Sequence, residues 1–169
     1  MKYAGLLLIV LVCGGMGMMK SMQYTARVRY LEAILSFLQT LASEMEYRAA
    51  PIAKILADAA GREEYKCLPF LRECERLCRE GTEFPIAWAK AVRDKAKAMD
   101  LSERDFKLLL SFGCGIGTTD VDGQLANCSL HRELFGQSLQ SAREEKNKHG
   151  KLYLKLGLLS GIGISIVLV

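Results

Sequence analysis

Histidine is scarce in this sequence, which limits the kinds of site that the chain can build. There are two histidines among 169 residues, and His149 lies in the charged, solvated run "EEKNKHGK". No serine or cysteine sits in a recognisable nucleophile motif. Carboxylates are common, but most are spaced to pair with lysine or arginine on a helix surface. These absences argue against an enzyme, and no cofactor is expected.

The sequence also lacks a concentrated block of positive charge. Its 23 Lys and Arg residues are interleaved with 19 Asp and Glu residues and are not gathered into a stripe. Domains that bind nucleic acids usually show a basic face or patch. Nucleic-acid binding is therefore not expected.

Signals for β-strands are nearly missing, since no segment sustains a two-residue alternation of apolar and polar side chains. Apolar residues recur instead at three- and four-residue steps, and Pro51, Pro69 and Pro85 each stand where such a helical pattern begins. Ser102, with Asp105 three residues later, resembles a helix-capping box. A last helical pattern runs from about residue 120 to the end. The sequence thus predicts an all-α fold. The expected buried stripes are Leu31, Ile34, Leu35, Leu38, Leu41, Ala42 and Met45 in the first pattern, and Leu125, Cys128, Leu134, Phe135, Leu139 and Ala142 in the last.

Both ends of the chain are apolar. Residues 3–19 and 156–169 carry no charged side chain. At 1.5 Å per residue the first run covers about 26 Å. The second covers about 27 Å when it is extended back to residue 152, with the Lys155 amine reaching the lipid headgroups; both lengths suit the hydrocarbon core of a bilayer. We expect an N-terminal transmembrane helix over 1–20, a helical domain over 21–151 and a C-terminal transmembrane helix over 152–169. Two alternatives fit the N-terminal run less well, namely a cleaved signal peptide and a lipoprotein signal at Cys13. The less favoured alternative for the C-terminal run is a buried core helix.

Basic residues flank both apolar ends on the side of the middle domain. Lys20, Arg27 and Arg29 follow the first, and five Lys and Arg residues between 143 and 155 precede the second. The positive-inside rule predicts that the middle domain lies in the cytoplasm. The two apolar ends predict that the protein lies in the cell membrane. The six cysteines are then expected to be reduced thiols.

Each apolar end carries two small residues four positions apart, Cys13 with Gly17 and Gly157 with Gly161. Such pairs allow membrane helices to approach each other closely. The two predicted spans are expected to pack on each other or on a partner. The alternative is that glycine is simply common in membrane helices.

The stretch "GCGIGTTDVDGQ" has two interpretations. Its alternating glycines suggest a phosphate-binding loop, but no strand precedes them and the P-loop lysine is missing. The favoured interpretation is a turn between helices, in which glycines end one helix in left-handed geometry and Thr119 caps the next, with Asp120 in its first turn. The turn residues are Gly113, Gly115, Gly117, Thr119 and Asp120.

Two further groups of residues are candidate sites. Cys74 and Cys78 on one predicted helix, with Cys128 and His131 on another, would supply four zinc ligands if the helices faced each other. This metal site is a weak alternative, because buried cysteines are common in helical cores. The second group ends the first amphipathic helix and is expected to bind a partner; the alternative is an ordinary solvated helix end. Its members are Glu44, Glu46, Tyr47 and Arg48.

The order of these segments resembles the stage III sporulation protein AB family of endospore-forming bacteria. The resemblance lies in "RYLEAILSFLQTLASEMEY", "PIAKIL", "FPIAWAKAV", "TTDVDGQ" and "GKLYLKLGLLSGIGISIVLV", and that family is similar to the F-domain platform proteins of type II secretion and type IV pilus systems. The resemblance implies a compact bundle of about six helices between the two membrane helices.

The resemblance also implies a function. The protein would be a platform component of the secretion-like channel between mother cell and forespore, in the mother-cell membrane that faces the forespore. Its partners would be the complex's ATPase, stage III sporulation protein AA, other membrane proteins of the channel, and a second copy if one domain dimerises to complete a platform. The alternative is a membrane-anchored helical adaptor or regulator unrelated to secretion.

Overall fold

The structure is a computed structural model that describes the backbone of residues 2–48 and 51–150 and the side chains of residues 19, 21–47 and 51–148. Six α-helices are present, and no strand occurs in the described residues. This confirms the all-α prediction. In chain order the helices are α1 (Lys2–Arg48), α2 (Ile52–Gly61), α3 (Pro69–Arg79), α4 (Phe84–Lys95), α5 (Glu103–Cys114) and α6 (Val121–Glu145), with 3-10 turns at Glu63–Tyr65 and Ala96–Ala98 and a π-helix at Lys146–Gly150.

The chain divides into two units, whose boundaries fall within helices. One boundary lies in α1 between Val28 and Arg29, and the other lies in α6 between Leu139 and Gln140. Residues Arg29–Leu139 form one unit, in which α3 packs against α2 and α4, and α4 packs against α5. This unit contains the core and the candidate sites.

The predicted stripes supply much of this core. In α1, five of the seven stripe residues are buried, and Leu35 and Ala42 are half-buried. In the α6 part of this unit, Cys128, Phe135 and Leu139 are buried and Leu125 and Leu134 are half-buried; Ala142, also buried, belongs to the other unit. The α1 prediction omitted Phe37, which is 1% exposed.

Trp88 on α4 lies at the centre of the core and is fully buried. Its indole N–H donates a hydrogen bond to the Leu109 carbonyl at 2.7 Å. Because its neighbours come from α1, α3, α4 and α5, this one side chain connects four helices. The ring centroids nearest to it are those of Phe70 at 5.2 Å, Phe112 at 5.3 Å, Phe84 at 5.5 Å and Phe37 at 6.0 Å.

In the other unit, an ion pair joins α1 to α6. The Arg27 guanidinium donates to the Glu145 carboxylate at 2.8 Å, with the arginine side chain 13% exposed. The Glu145 side chain is 45% exposed, so bulk water screens this pair in part. The helix widens into the π-helix Lys146–Gly150 directly after Glu145. Within the described residues, the predicted last helix is α-helical over Val121–Glu145 and π-helical over Lys146–Gly150, and its remainder lies outside them.

No helix in the described part of the chain combines the length and the apolar character that crossing a bilayer requires. The predicted C-terminal span 152–169, with Gly157 and Gly161, lies outside the described residues. For the predicted span 1–20, the structure describes helical backbone from Lys2 onward, including Cys13 and Gly17, and Met19 is the one side chain described there.

The capping box predicted at Ser102 is confirmed. The Asp105 backbone N–H donates to the Ser102 hydroxyl at 3.1 Å, and the Ser102 N–H donates to the Asp105 carboxylate at 3.1 Å. Two of the backbone donors that a helix start leaves without intrahelical partners are thereby satisfied. This fixes the start of α5 at Glu103.

The cap predicted for the next helix was wrong by one residue. Helix α6 begins at Val121, and the carboxylate of Asp120, not the hydroxyl of Thr119, accepts the Gly123 backbone N–H at 3.0 Å. Thr119 contributes its carbonyl, which accepts from the Gln124 side chain at 2.8 Å. An aspartate at the cap position also interacts favourably with the positive end of the helix dipole.

Replacing Asp120 with alanine is expected to destabilise the fold by about 1 kcal/mol, because the Gly123 N–H loses its acceptor. Thr119→Ala should cost much less, since the Thr119 carbonyl is retained. Asp120→Asn, which keeps an acceptor oxygen, serves as the control. Chemical denaturation of the full chain in detergent, followed by tryptophan fluorescence, measures the difference. A larger loss of stability for Thr119→Ala than for Asp120→Ala would indicate that Thr119 caps α6.

Candidate partner-docking surfaces

The predicted partner-binding residues lie on the last turns of α1. Met45 is buried and holds this part of the helix on the core, whereas Glu46 is exposed and Glu44 is half-buried. Tyr47 is 80% exposed, the highest value among the large hydrophobic side chains described. Arg48 ends the helix, and its side chain lies outside the described residues. We call Glu44, Glu46, Tyr47 and Arg48 the α1 corner.

An exposed tyrosine flanked by carboxylates is suited to binding a protein partner. Tyrosine contributes a large apolar area and a hydroxyl for hydrogen bonding, and it is enriched among the residues that dominate binding energy. Residues three and four apart lie on one side of a helix, so Glu44, Tyr47 and Arg48 share a face. The arrangement provides an apolar anchor with charged neighbours.

The glycine stretch forms the end of α5 and the turn to α6, and glycine is needed at three of its positions, each for a different local reason. Gly117 has a φ of +79°, the left-handed conformation predicted for the turn. Gly115 closes α5 in ordinary geometry and lies against Asn127, whose amide donates to the Phe112 carbonyl at 3.0 Å. Gly113 is inside α5, where a Cβ would lie 2.1 Å from Trp88 Cδ1. Of these three glycines, Gly117 is therefore the one in left-handed geometry, whereas close packing requires glycine at residues 113 and 115.

The weak alternative of a zinc site is not assembled. Among the described residues, no three His, Cys, Asp or Glu side chains lie close enough to hold a metal ion. Burial raises the pKa of the Cys74 thiol well above its usual range and that of Cys128 to about 11. Metals bind the thiolate, so buried thiols that stay protonated are poor ligands. The five cysteines that the structure describes are free thiols.

His131, the fourth residue of that alternative, makes hydrogen bonds that the sequence does not predict. Its Nδ1–H donates to the Asn127 carbonyl at 3.0 Å, and its Nε2 lies 3.0 Å from the Ser111 hydroxyl. The same hydroxyl donates to the Leu108 carbonyl at 3.0 Å. A backbone carbonyl, not a carboxylate, orients this imidazole. The pair thus links α5 to α6, and the one sequence signal for it is that His131 continues the buried stripe of α6.

A groove with a volume of about 690 Å³ lies along α3, beside the end of α2 and the end of α4. Small or apolar residues line part of it, and five cationic side chains surround these. This surface is not evident in the sequence, because the cations alternate with glutamates along α3. We call it the arginine groove; it is lined by Ala57, Ala60, Gly61, Lys66, Pro69, Arg72, Glu73, Glu75, Arg76, Arg79 and Lys95.

Ion pairs fix two of the guanidiniums in this groove. Arg76 binds Glu73 at 2.7 Å and also pairs with Glu80, and Arg79 binds Glu75 at 2.9 Å. The hydrogen bond from Arg76 lowers the pKa of Glu73 below its usual value. Arg72 is held differently, through a 3.4 Å contact from its Nε to the Ala60 carbonyl at the end of α2. No ion pair joins Arg72 or Lys95 to a carboxylate among the described residues.

Comparison with known proteins finds one matching family model and a similar solved structure. The family model described as stage III sporulation protein AB matches residues 2–169. A solved structure of stage III sporulation protein AB is similar to this one with a TM-score of 0.67 and 18% sequence identity, over 73% of this chain and 98% of that chain. At this identity the structural likeness shows a shared fold. No curated protein matches the chain.

Proposed function

Because the chain belongs to the stage III sporulation protein AB family, we propose that it is a non-enzymatic platform component of the secretion-like channel that joins the mother cell to the forespore. The observation that carries the proposal is that the family match runs over both apolar ends as well as the helical domain between them. The similar fold of a solved family member supports it.

The proposal includes two membrane spans, residues 1–20 and 152–169, in the mother-cell membrane that faces the forespore. Both segments lack charged side chains in their apolar runs, and basic residues flank them on the side of the helical domain. The positive-inside rule then favours a cytoplasmic domain. Anchoring at both ends would hold the domain close to the channel.

A platform must transmit position or force without deforming, and the helical domain has features that suit this task. Helix α1 is continuous from Lys2 to Arg48, so no loop interrupts it between the N-terminal segment and the α1 corner. Trp88 and its aromatic neighbours connect four helices through one close-packed core. Such interiors have low compressibility and transmit strain.

The proposed partner is the cytoplasmic ATPase of the complex, stage III sporulation protein AA, and the proposed contact is the α1 corner. Tyr47 would provide the apolar anchor, while Glu44, Glu46 and Arg48 would set orientation by charge. Charged groups at an interface determine specificity and association rate more than affinity. Reversing them should therefore prevent productive docking.

The test is co-purification of the ATPase with the full chain from detergent extracts. In the variant Glu44→Lys/Glu46→Lys/Arg48→Glu we expect the captured ATPase to fall at least about tenfold, the effect of losing about 1.4 kcal/mol of binding energy. The matched control is Asp58→Lys/Glu133→Lys/Arg104→Glu, which makes the same change in net charge at exposed positions elsewhere. It should capture the ATPase normally, and both variants should keep the wild-type circular dichroism and stay in alkaline-washed membranes.

Three results would count against the proposal. Unchanged capture by the α1-corner variant would exclude this surface. Equal loss in both variants would show that net charge matters and the α1 corner does not. Release of the wild-type protein from alkaline-washed membranes would overturn the two membrane spans.

A further inference from the structure

We propose that the arginine groove binds an acidic segment of a partner protein, at a surface separate from the α1 corner. Five cationic side chains line the groove against two carboxylates. Arg72, Arg76 and Arg79 are four and three residues apart on α3, so they follow one face of the helix. The proposal goes beyond the proposed function, which does not involve this surface.

The cations of the groove are more accessible than its carboxylates. The side chains of Arg76 and Arg79 are 46% and 71% exposed, whereas those of Glu73 and Glu75 are 19% and 20% exposed. A molecule that enters the groove therefore meets Arg76 and Arg79 before Glu73 and Glu75, while Glu80, the other partner of Arg76, lies outside the lining and is 55% exposed. The glutamates beneath fix the orientation of the arginines, which reduces the entropy lost when these side chains bind a ligand.

Arg72 and Lys95 provide the charge that no internal pair neutralises. Arg72 uses Nε to contact the Ala60 carbonyl, and this leaves the two Nη groups at the free edge of the guanidinium to form a fork for a carboxylate. Lys95 approaches the same groove from the end of α4. These two cations give the groove a charge that complements an acidic ligand.

The size and lining of the groove favour a polypeptide. Its volume of about 690 Å³ and its lining by Ala57, Ala60 and Pro69 suit a chain with small or apolar side chains between its carboxylates. A nucleic acid or a lipid surface presents denser negative charge, which Glu73 and Glu75 would repel. Carboxylates spaced along a peptide can bind the arginines while avoiding those glutamates.

The test measures binding of a labelled glutamate-rich peptide to the full chain in nanodiscs of zwitterionic lipid, by fluorescence anisotropy. The variant Arg72→Gln/Lys95→Gln leaves the ion pairs of Arg76 and Arg79 intact. We expect it to bind the peptide about tenfold more weakly than the wild-type protein. The matched control Lys54→Gln/Arg104→Gln also removes one lysine and one arginine, at exposed positions outside the groove. It should bind as the wild-type protein does, and added salt should weaken the interaction.

Each alternative ligand has its own arm in the experiment. A glutamine-rich peptide of the same length should not bind, and anionic vesicles and a single-stranded oligonucleotide should bind more weakly than the acidic peptide. Equal binding by Arg72→Gln/Lys95→Gln and wild type, failure of the wild type to bind the peptide, or tighter binding of vesicles or oligonucleotide would each overturn the proposal. Because the α1 corner is intact in these variants, capture of the ATPase separates failure here from failure of the proposed function.

Discussion

Trp88→Ala is expected to lower the free energy of unfolding by about 4 kcal/mol, which is a large part of the stability of a domain this size. The substitution removes a fully buried indole and leaves a cavity between the rings of Phe37, Phe70, Phe84 and Phe112. It also removes the hydrogen bond to the Leu109 carbonyl inside the core. Helices from four parts of the chain lose contacts together, so a single cooperative transition should shift.

Denaturation of the full chain in detergent, followed by helical circular dichroism, measures this effect. Tyr47→Ala is the matched control, since it removes an aromatic ring that is 80% exposed and should change stability by no more than about 0.5 kcal/mol. Trp88→Phe should give an intermediate loss, because it keeps a ring but not the N–H donor. A loss below about 1 kcal/mol for Trp88→Ala would mean that the aromatic cluster does not hold these helices together.

The second large effect is expected at Gly113, where alanine should destabilise the fold by about 3 kcal/mol. A Cβ on residue 113 would lie 2.1 Å from Trp88 Cδ1 and 2.5 Å from Cγ, so α5 and the buried indole must move apart. The intrinsic preference of a helix for alanine over glycine, about 1 kcal/mol, acts in the opposite direction and is too small to compensate.

Gly136 provides the matched control for Gly113. It also lies inside a helix, and a Cβ there would meet no atom within 4 Å, so Gly136→Ala should stabilise the protein by about 1 kcal/mol. A double-mutant cycle tests the mechanism: Gly113→Ala should cost much less in a Trp88→Ala background, because the clashing ring is gone. Additive effects, or a stabilising Gly113→Ala, would contradict the close packing of α5 on Trp88.

Local signals predicted helix starts well. Pro69 is the first residue of α3, Pro85 is the second residue of α4, and Ser102 caps α5 as expected. Each signal acts through backbone geometry or a hydrogen bond within a few residues, which the sequence shows directly. Thr119 and Asp120 are adjacent residues that both favour the cap position, and the sequence alone does not distinguish them.

Features that depend on distant residues could not be predicted in the same way. Phe37 lies off the expected stripe of α1 but is buried, because Tyr65 and Trp88 cover it. Gly113 is next to a tryptophan from another helix, and its sequence neighbours suggested only a turn. The zinc alternative failed for the same reason: spacing within two helices does not determine whether those helices face each other.

The two candidate surfaces differ in whether residues close together in the sequence form them. The sequence predicts the α1 corner because its residues lie within five positions at the end of an amphipathic helix. The arginine groove combines residues from α2, α3 and α4, and its cations alternate with glutamates in the sequence. Only the folded chain separates accessible arginines from shielded carboxylates.

The position of Phe37 has a consequence for synthesis of the protein. Helix α1 leaves the ribosome before the residues that cover this ring, since Tyr65 follows α2 and Trp88 belongs to α4. Until α4 has been translated, the nascent chain exposes an apolar helix face that has no native cover. Exposed faces of this kind aggregate or attract chaperones. Between the translation of α1 and that of α4, the Phe37 face of α1 therefore lacks its native cover and is open to aggregation or chaperone binding.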